Sequence, residues 1–186
     1  MWTIPNLFTL LRVAMTPYIL IELARGHYMI AGWTFVAAAF TDTLDGYIAR
    51  RFGSESRIGQ YLDPIADKLL LSSIYIGLML GLAIPAWLVG VVFGRDIWIL
   101  LLSGIALRFT KFRDLQPSVW GKASTFAQIM TAVGVMAARA YQNVVFGRIA
   151  GALIWVVVAL ALISASDYTA RGAKFWLRAR KAVNAG

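Results

Sequence analysis

The chain has 186 residues, 60% of them hydrophobic, and a mean hydropathy of +0.70, which is too apolar for an ordinary soluble domain of this length. The formal net charge is +9, but the basic residues lie in short connections and in the C-terminal tail rather than on one clustered face. No nucleic-acid partner is therefore expected. The absence of cysteine excludes disulfides and thiolate metal sites.

Apolar segments of about 20 residues recur along the chain, and a helix of that length crosses a hydrocarbon core of about 30 Å. We predict an all-α integral membrane protein with six transmembrane helices in one bundle. The predicted spans are residues 6–24, 29–51, 61–81, 86–108, 118–140 and 146–166. Because no linker or repeat interrupts them, we expect one domain over 1–186, with a basic tail from about residue 167.

Lysine and arginine concentrate in the connection after the second span, in the connection after the fourth span, and in the tail. The positive-inside rule then places both chain termini on the cytoplasmic side of a bacterial inner membrane, or on the matrix side of a mitochondrial one. The tail from Ser166 to Lys181 is either a solvated basic end or a helix lying on an anionic membrane surface.

Four aspartates lie where the second span ends and the third begins: Asp42, Asp45, Asp63 and Asp67. Members of each pair are three or four residues apart, so on helices each pair shares a face. A carboxylate at membrane depth costs roughly 2.5–3.5 kcal/mol on insertion scales, so the four are expected to surround a cation. Oxygen ligands favour Mg²⁺, Mn²⁺ or Ca²⁺ over zinc. The structural alternative is an ion-pair network with nearby basic residues.

Small and basic residues accompany the aspartates. Gly46, Ala49 and Gly59 allow a backbone or a flat ligand to approach closely, and Arg50 is suited to hold a phosphate oxygen. Together with divalent metal, this set predicts binding of a diphosphate and phosphoryl transfer. No activated Ser, Cys or His accompanies the cluster, so direct attack without a covalent enzyme intermediate is expected.

The pattern Asp42-x-x-Asp45-Gly46-x-x-Ala49-Arg50, followed after residues 51–58 by Gly59-x-x-x-Asp63-x-x-x-Asp67, resembles the signature of the CDP-alcohol phosphatidyltransferases at every fixed position. The resemblance implies a homodimeric six-span enzyme in which an alcohol displaces CMP from a CDP-linked lipid, usually with two Mg²⁺ or Mn²⁺ ions. It also implies roles for individual residues. Asp42, Asp45 and Asp63 would be metal ligands, Asp67 a metal-side carboxylate and the general base, and Gly46, Ala49, Arg50 and Gly59 the lining of the CDP site.

Two further segments resemble the branch of phosphatidylglycerophosphate synthases and cardiolipin synthases. They are Ile4-Pro5-Asn6-Leu7-x-Thr9-x-x-Arg12 and Pro117-Ser118-x-x-Gly121-Lys122-x-x-Thr125. The resemblance implies CDP-diacylglycerol as the donor and favours glycerol 3-phosphate as the acceptor, giving phosphatidylglycerophosphate. Cardiolipin synthesis from phosphatidylglycerol is the alternative.

Arg12, Arg95 and Lys122 are candidate acceptor-binding residues, because a cationic pocket suits the phosphate of either acceptor. Each also has a simpler interpretation. Arg12 could reach the membrane interface, Arg95 could pair with Asp96, and Lys122 could be an ordinary flanking lysine.

Two functions of a different class remain open at this point. A cation transporter would need polar residues along a path through both leaflets, whereas residues 69–82 are largely apolar. A non-catalytic membrane scaffold would keep the aspartates only as structure, and an assay of turnover separates it from an enzyme.

Overall fold

The computed structural model describes residues 4–52, 57–109 and 118–183, and the side chains of residues 11–40, 66–104 and 118–173. The described residues form six α-helices: α1 (Ile4–Ala24), α2 (Tyr28–Phe52), α3 (Arg57–Leu80), α4 (Ala86–Phe109), α5 (Val119–Tyr141) and α6 (Val144–Val183). Each helix covers one predicted segment, so the all-helical prediction is confirmed.

Membrane-crossing character is clearest in two of these helices. Within the described residues, Ala86–Gly104 and Val144–Ala173 are long and apolar enough to span a bilayer, and Tyr28–Phe40 is a shorter apolar stretch. The polar signature interrupts the apolar character of α2 and α3, which lowers the mean hydropathy of both helices. The bundle of six spans therefore stays a prediction.

The chain divides into two compact units. The first unit comprises Met1–Ala86 and Ala132–Ala150, and the second comprises Trp87–Thr131 and Gly151–Gly186. Helices α5 and α6 contribute residues to both units. The expectation of one domain over the whole chain stays a prediction.

In the first unit, α1 packs against both α2 and α3. Its buried side chains are mostly aliphatic, with Ile19 and Leu23 from α1 and Ile74 and Leu78 from α3 all at 1% exposure or less. Helix α1 approaches α3 closely at Gly77, where an added Cβ atom would lie 2.8 Å from Leu23 Cβ and 3.2 Å from Leu20 O. Glycine is therefore required at this contact.

Helices α1 and α3 each end in a turn with the same hydrogen-bonding pattern. After α1, His27 N donates to Glu22 O and Gly26 N donates to Leu23 O, with Gly26 at φ +80°. After α3, residues Ala83 and Leu82 make the same pair of bonds to Leu78 and Met79. This is the Schellman arrangement, in which a left-handed residue terminates the helix. Leu82 occupies the left-handed position at φ 54° although it is not glycine.

Helices α2 and α3 follow each other in the chain, and both pack against α1. At one end, only residues 53–56 separate Phe52 from Arg57. At the other end, the Tyr28 hydroxyl at the start of α2 donates to Gly81 O, 2.6 Å away and just after α3. Helix α1 is therefore the neighbour that α2 and α3 share.

In the second unit, buried aliphatic residues come from α4, α5 and α6, among them Leu88, Val92, Ala127 and Val157. Trp87 and Trp155 also lie in contact, with ring centroids 5.9 Å apart. Helix α6 has 40 residues and continues to Val183, so the predicted basic tail begins as part of this helix rather than as a separate segment. At 1.5 Å per residue α6 is about 60 Å long, more than the hydrocarbon core requires.

Replacing Gly77 by alanine is expected to lower the free energy of unfolding by roughly 1–3 kcal/mol, because the new methyl group overpacks the contact between α1 and α3. Thermal unfolding of the detergent-solubilised protein measures the change. Gly90→Ala on α4 is the matched control, since an added Cβ there meets nothing within 4 Å. It should leave the melting temperature unchanged or raise it, because alanine favours a helix over glycine. Equal melting temperatures for the two variants would contradict the prediction.

Candidate metal and phosphate site

The two aspartate pairs lie at similar distances from the helix ends that residues 53–56 connect. Asp45 lies about 10 Å along the helix axis before the end of α2, and Asp63 lies about 10 Å after the start of α3. Asp42 and Asp67 are each about 15 Å from those same ends. This correspondence is what a shared cation site on α2 and α3 requires.

Most of the predicted site side chains lie outside the described ones. This group comprises Asp42, Asp45, Gly46, Ala49 and Arg50 on α2, and Gly59 and Asp63 on α3. Their places along the helices are known, and their predicted roles in binding metal and CDP stay predictions. Asp67 is the member of the signature whose side chain is described.

Asp67 forms an ion pair with Arg12. Arg12 Nη1 on α1 donates to Asp67 Oδ1 on α3. The Arg12 side chain is only 3% exposed, whereas Asp67 is 59% exposed. A buried guanidinium needs an anionic or polar partner, so this contact explains how α1 tolerates an arginine among apolar residues. It also fixes a positive charge beside the aspartate predicted to be the general base.

A charged residue within a membrane span needs a polar partner, and Asp67 is such a partner for Arg12. The two residues are far apart in the chain, and only the packing of α1 on α3 brings them together. The contact assigns Arg12 to the aspartate site in the first unit. Its predicted role in binding the acceptor stays a prediction.

The donor set fits a divalent cation of the Mg²⁺ or Mn²⁺ type. Among the described side chains, no group of three or more His, Asp or Glu lies close enough to hold a metal. Three of the four signature aspartates are outside that set. The four positions together would supply only carboxylate oxygens, the ligands that hard cations prefer. Asp67 already contacts one cationic group, which shows that this level of α3 accommodates positive charge.

Arg95 lies at a junction of three helices in the second unit. Its Nη1 donates to Asp96 Oδ1 at 2.6 Å, as one of the two sequence interpretations expects. Its Nη2 also donates to Ser164 Oγ on α6 at 2.7 Å and to Gly121 O on α5 at 3.4 Å. The buried guanidinium therefore joins α4 to α5 and α6.

The start of α5 is anchored on α6 beside this junction. Ser118 caps α5 by accepting a hydrogen bond from Trp120 N at 3.2 Å, and its hydroxyl donates to Asp167. The Tyr168 hydroxyl accepts from Ser118 N at 3.1 Å. Lys122, one turn into the helix, is exposed. The anchored helix start therefore presents a cation to the surroundings.

Sequence reasoning missed the α6 residues of this network. Ser164, Asp167 and Tyr168 fall at the end of a strongly apolar segment, where polar side chains need a partner. Their position at the end of this apolar segment was the sequence signal that could have identified them. The predicted acceptor residues are divided between the units, with Arg12 in the first and Arg95 and Lys122 in the second.

The ion pair between Arg12 and Asp67 is expected to give a double-mutant coupling energy of roughly 1–3 kcal/mol. Asp67→Asn should destabilise the protein because it leaves the buried Arg12 without this carboxylate. Asp67→Asn combined with Arg12→Met should cost less than the sum of the single changes. Unfolding of the four proteins in one detergent measures the cycle. A coupling energy near zero would show that the contact contributes nothing.

Comparison with known proteins places these features in a family. The family model for CDP-alcohol phosphatidyltransferases matches residues 2–178. A protein of Drosophila melanogaster named probable cardiolipin synthase (CMP-forming) is 36% identical over 146 residues, which are 69% of this chain and 45% of the fly protein. The chain thus spans less than half the length of that relative.

Bacterial relatives are matched over more of their own length. The probable phosphatidylglycerophosphate synthase of Mycobacterium tuberculosis is 34% identical over 89% of this chain and 79% of its own. The CDP-diacylglycerol–glycerol-3-phosphate 3-phosphatidyltransferase of Bacillus subtilis is 28% identical over 90% of this chain and 94% of its own. The family match covers both helices of the aspartate signature and the helices on either side, and the chain belongs to the CDP-alcohol phosphatidyltransferase family.

Proposed function

We propose that this protein transfers the phosphatidyl group of CDP-diacylglycerol to glycerol 3-phosphate, giving phosphatidylglycerophosphate and CMP. The observation that carries the proposal is the complete aspartate signature along α2 and α3, with Asp67 paired to Arg12. The two bacterial relatives, matched over most of their length, support glycerol 3-phosphate as the acceptor. The fly relative supports a second candidate, cardiolipin synthesis with phosphatidylglycerol as the acceptor.

In this proposal Asp67 is the general base. A glycerol hydroxyl is a weak nucleophile near neutral pH, so a carboxylate within hydrogen-bond reach must accept its proton as attack proceeds. Arg12 holds the Asp67 carboxylate in place. The exposure of Asp67 leaves room for an acceptor to approach.

The CDP group of the donor would lie along Gly46, Ala49, Arg50 and Gly59, where small side chains admit it and the arginine binds a phosphate oxygen. Two Mg²⁺ or Mn²⁺ ions held by Asp42, Asp45, Asp63 and Asp67 would neutralise the diphosphate and stabilise the departing CMP. The acceptor oxygen then attacks the phosphorus directly, and no side chain forms a covalent bond to the lipid.

The surroundings of the site follow from its substrates. We propose six membrane spans, with the signature ends of α2 and α3 on the cytoplasmic or matrix side, because the connections at those ends are rich in basic residues. A lateral opening lets the donor keep its acyl chains in the bilayer. A homodimer is proposed on the family resemblance.

Asp67→Asn should abolish phosphatidyl transfer while retaining much of the affinity for CDP-diacylglycerol, because the base is lost and the CDP-lining residues are unchanged. Release of CMP and binding of the donor are measured on the same purified protein. Glu22→Gln is the control, since Glu22 is a buried acidic residue near the C-terminal end of α1, ten residues after Arg12. It should keep its turnover. Near-normal turnover of Asp67→Asn would remove Asp67 from this role.

The acceptor is tested by supplying CDP-diacylglycerol with glycerol 3-phosphate or with phosphatidylglycerol alone. Product is expected with glycerol 3-phosphate, and product only with phosphatidylglycerol would select cardiolipin synthesis. Lys122→Gln should raise the KM for the acceptor about tenfold without changing the KM for the donor, because an exposed charge-assisted contact to phosphate is lost.

Two arginine variants complete the acceptor test. Arg148→Gln, an exposed residue in the first unit, should change neither KM. Arg95→Gln should instead lower the melting temperature, because Arg95 joins three helices. A change in KM for Arg148→Gln equal to that of Lys122→Gln would show a general charge effect instead of a contact.

A further inference from the structure

An apolar groove lies between the first half of α2 and the second half of α5, within the first unit. It has about 520 Å³ of empty volume, counting its open side. Gly32 lines the groove, and an added Cβ atom there would meet nothing within 4 Å. The lining includes Trp33 and Val36 from α2 and Met136 and Tyr141 from α5.

The groove is separate from the aspartate site. Its α2 residues Met29, Gly32, Trp33 and Val36 recur at the spacing of one helix face. At 100° per residue, Asp42 and Asp45 fall about 130° to 170° from the centre of that face, on the other side of the helix. The groove also lies toward the start of α2, whereas the aspartates lie toward its end. The acyl chains of a donor bound at the signature are therefore not its natural occupant.

A cationic group stands at the end of the groove. Tyr28 lines the groove and its hydroxyl donates to Gly81 O. The next residue, Leu82, accepts a hydrogen bond through its carbonyl from Arg139 Nη2 at 2.8 Å. Arg139 is thus held beside Tyr28 by the turn after α3. It is exposed, and the described part of the chain supplies no partner for its Nε and Nη1 groups.

The charge of this region is positive. The α1–α2 turn and the ends of α5 and α6 nearby carry Arg25, Arg139 and Arg148, and the single carboxylate among them is Glu22. Glu22 contacts Arg25 and His27, with 2.7 Å to the histidine Nδ1. An apolar groove with a cation at its end matches a molecule that has a hydrocarbon chain and an anionic head.

We propose that this groove binds an anionic phospholipid, with one acyl chain along Gly32 and a phosphate oxygen accepting hydrogen bonds from Arg139. The proposal rests on the membrane location proposed above. The site belongs to the leaflet opposite the signature ends of α2 and α3. Exposed Trp33 and Tyr141 at its edge are residue types enriched at the headgroup level.

The test measures lipid retention by the purified full-length protein in detergent with EDTA, using native mass spectrometry. The probes are dioleoyl phosphatidylserine and dioleoyl phosphatidylcholine, which are neither donor nor acceptor in the proposed reaction. Wild type should retain phosphatidylserine preferentially. Arg139→Gln should reduce that preference about fivefold, the value of one basic residue near an anionic lipid, and Arg139→Lys should keep most of it.

Gly32→Leu fills the groove and should lower retention of phosphatidylserine, while Gly90→Leu, at an equally open glycine on α4, should not. Equal retention of the two lipids by wild type, or no effect of Arg139→Gln, would overturn the proposal and indicate ordinary annular lipid. A changed oligomeric state in Gly32→Leu with lipid retention unchanged would identify a second copy as the occupant, and would also overturn it. Transfer activity of wild type, measured separately with metal, tests the proposed function independently of these results.

Discussion

The contact between Arg12 and Asp67 constrains the first unit more than any apolar contact, because it satisfies a buried charge. A guanidinium with 3% exposure needs an anionic or polar partner, and Asp67 supplies a carboxylate here. The pair therefore sets the register between α1 and the helix that bears the last two signature aspartates. Helix α1 also packs against α2, which bears the first two aspartates.

The second unit uses the same principle with different partners. Buried Arg95 is satisfied by a carboxylate, a hydroxyl and a main-chain carbonyl contributed by three helices. Gly121 lies against this guanidinium, since an added Cβ atom there would come within 3.4 Å of Arg95 Nη2. In each unit a buried arginine thus joins helices that are far apart in the chain. Exposed cations such as Lys122 and Arg139 remain available for anionic ligands.

The helices and the aspartate signature were predictable from the sequence because each depends on local pattern. The apolar segments predicted six helices within two residues at most ends, but α3 begins four residues earlier than predicted and α6 extends beyond the apolar stretch to Val183. The partners of the arginines were not predictable, since Asp67 and Ser164 are 55 and 69 residues away from Arg12 and Arg95. Such pairings depend on which helices pack together. The apolar groove was also not predictable, because residues from α2 and α5 form it jointly.

The unbroken course of α6 has a practical consequence for mapping the protein in a membrane. Its predicted span ends at residue 166, and the remaining residues to Val183 extend about 25 Å further along the same helix. A fluorescent or enzymatic reporter fused after Val183 would therefore sit on a stiff spacer clear of the bilayer. The compartment in which that reporter is active fixes the direction of α6, and alternation along the chain then fixes the direction of every other span.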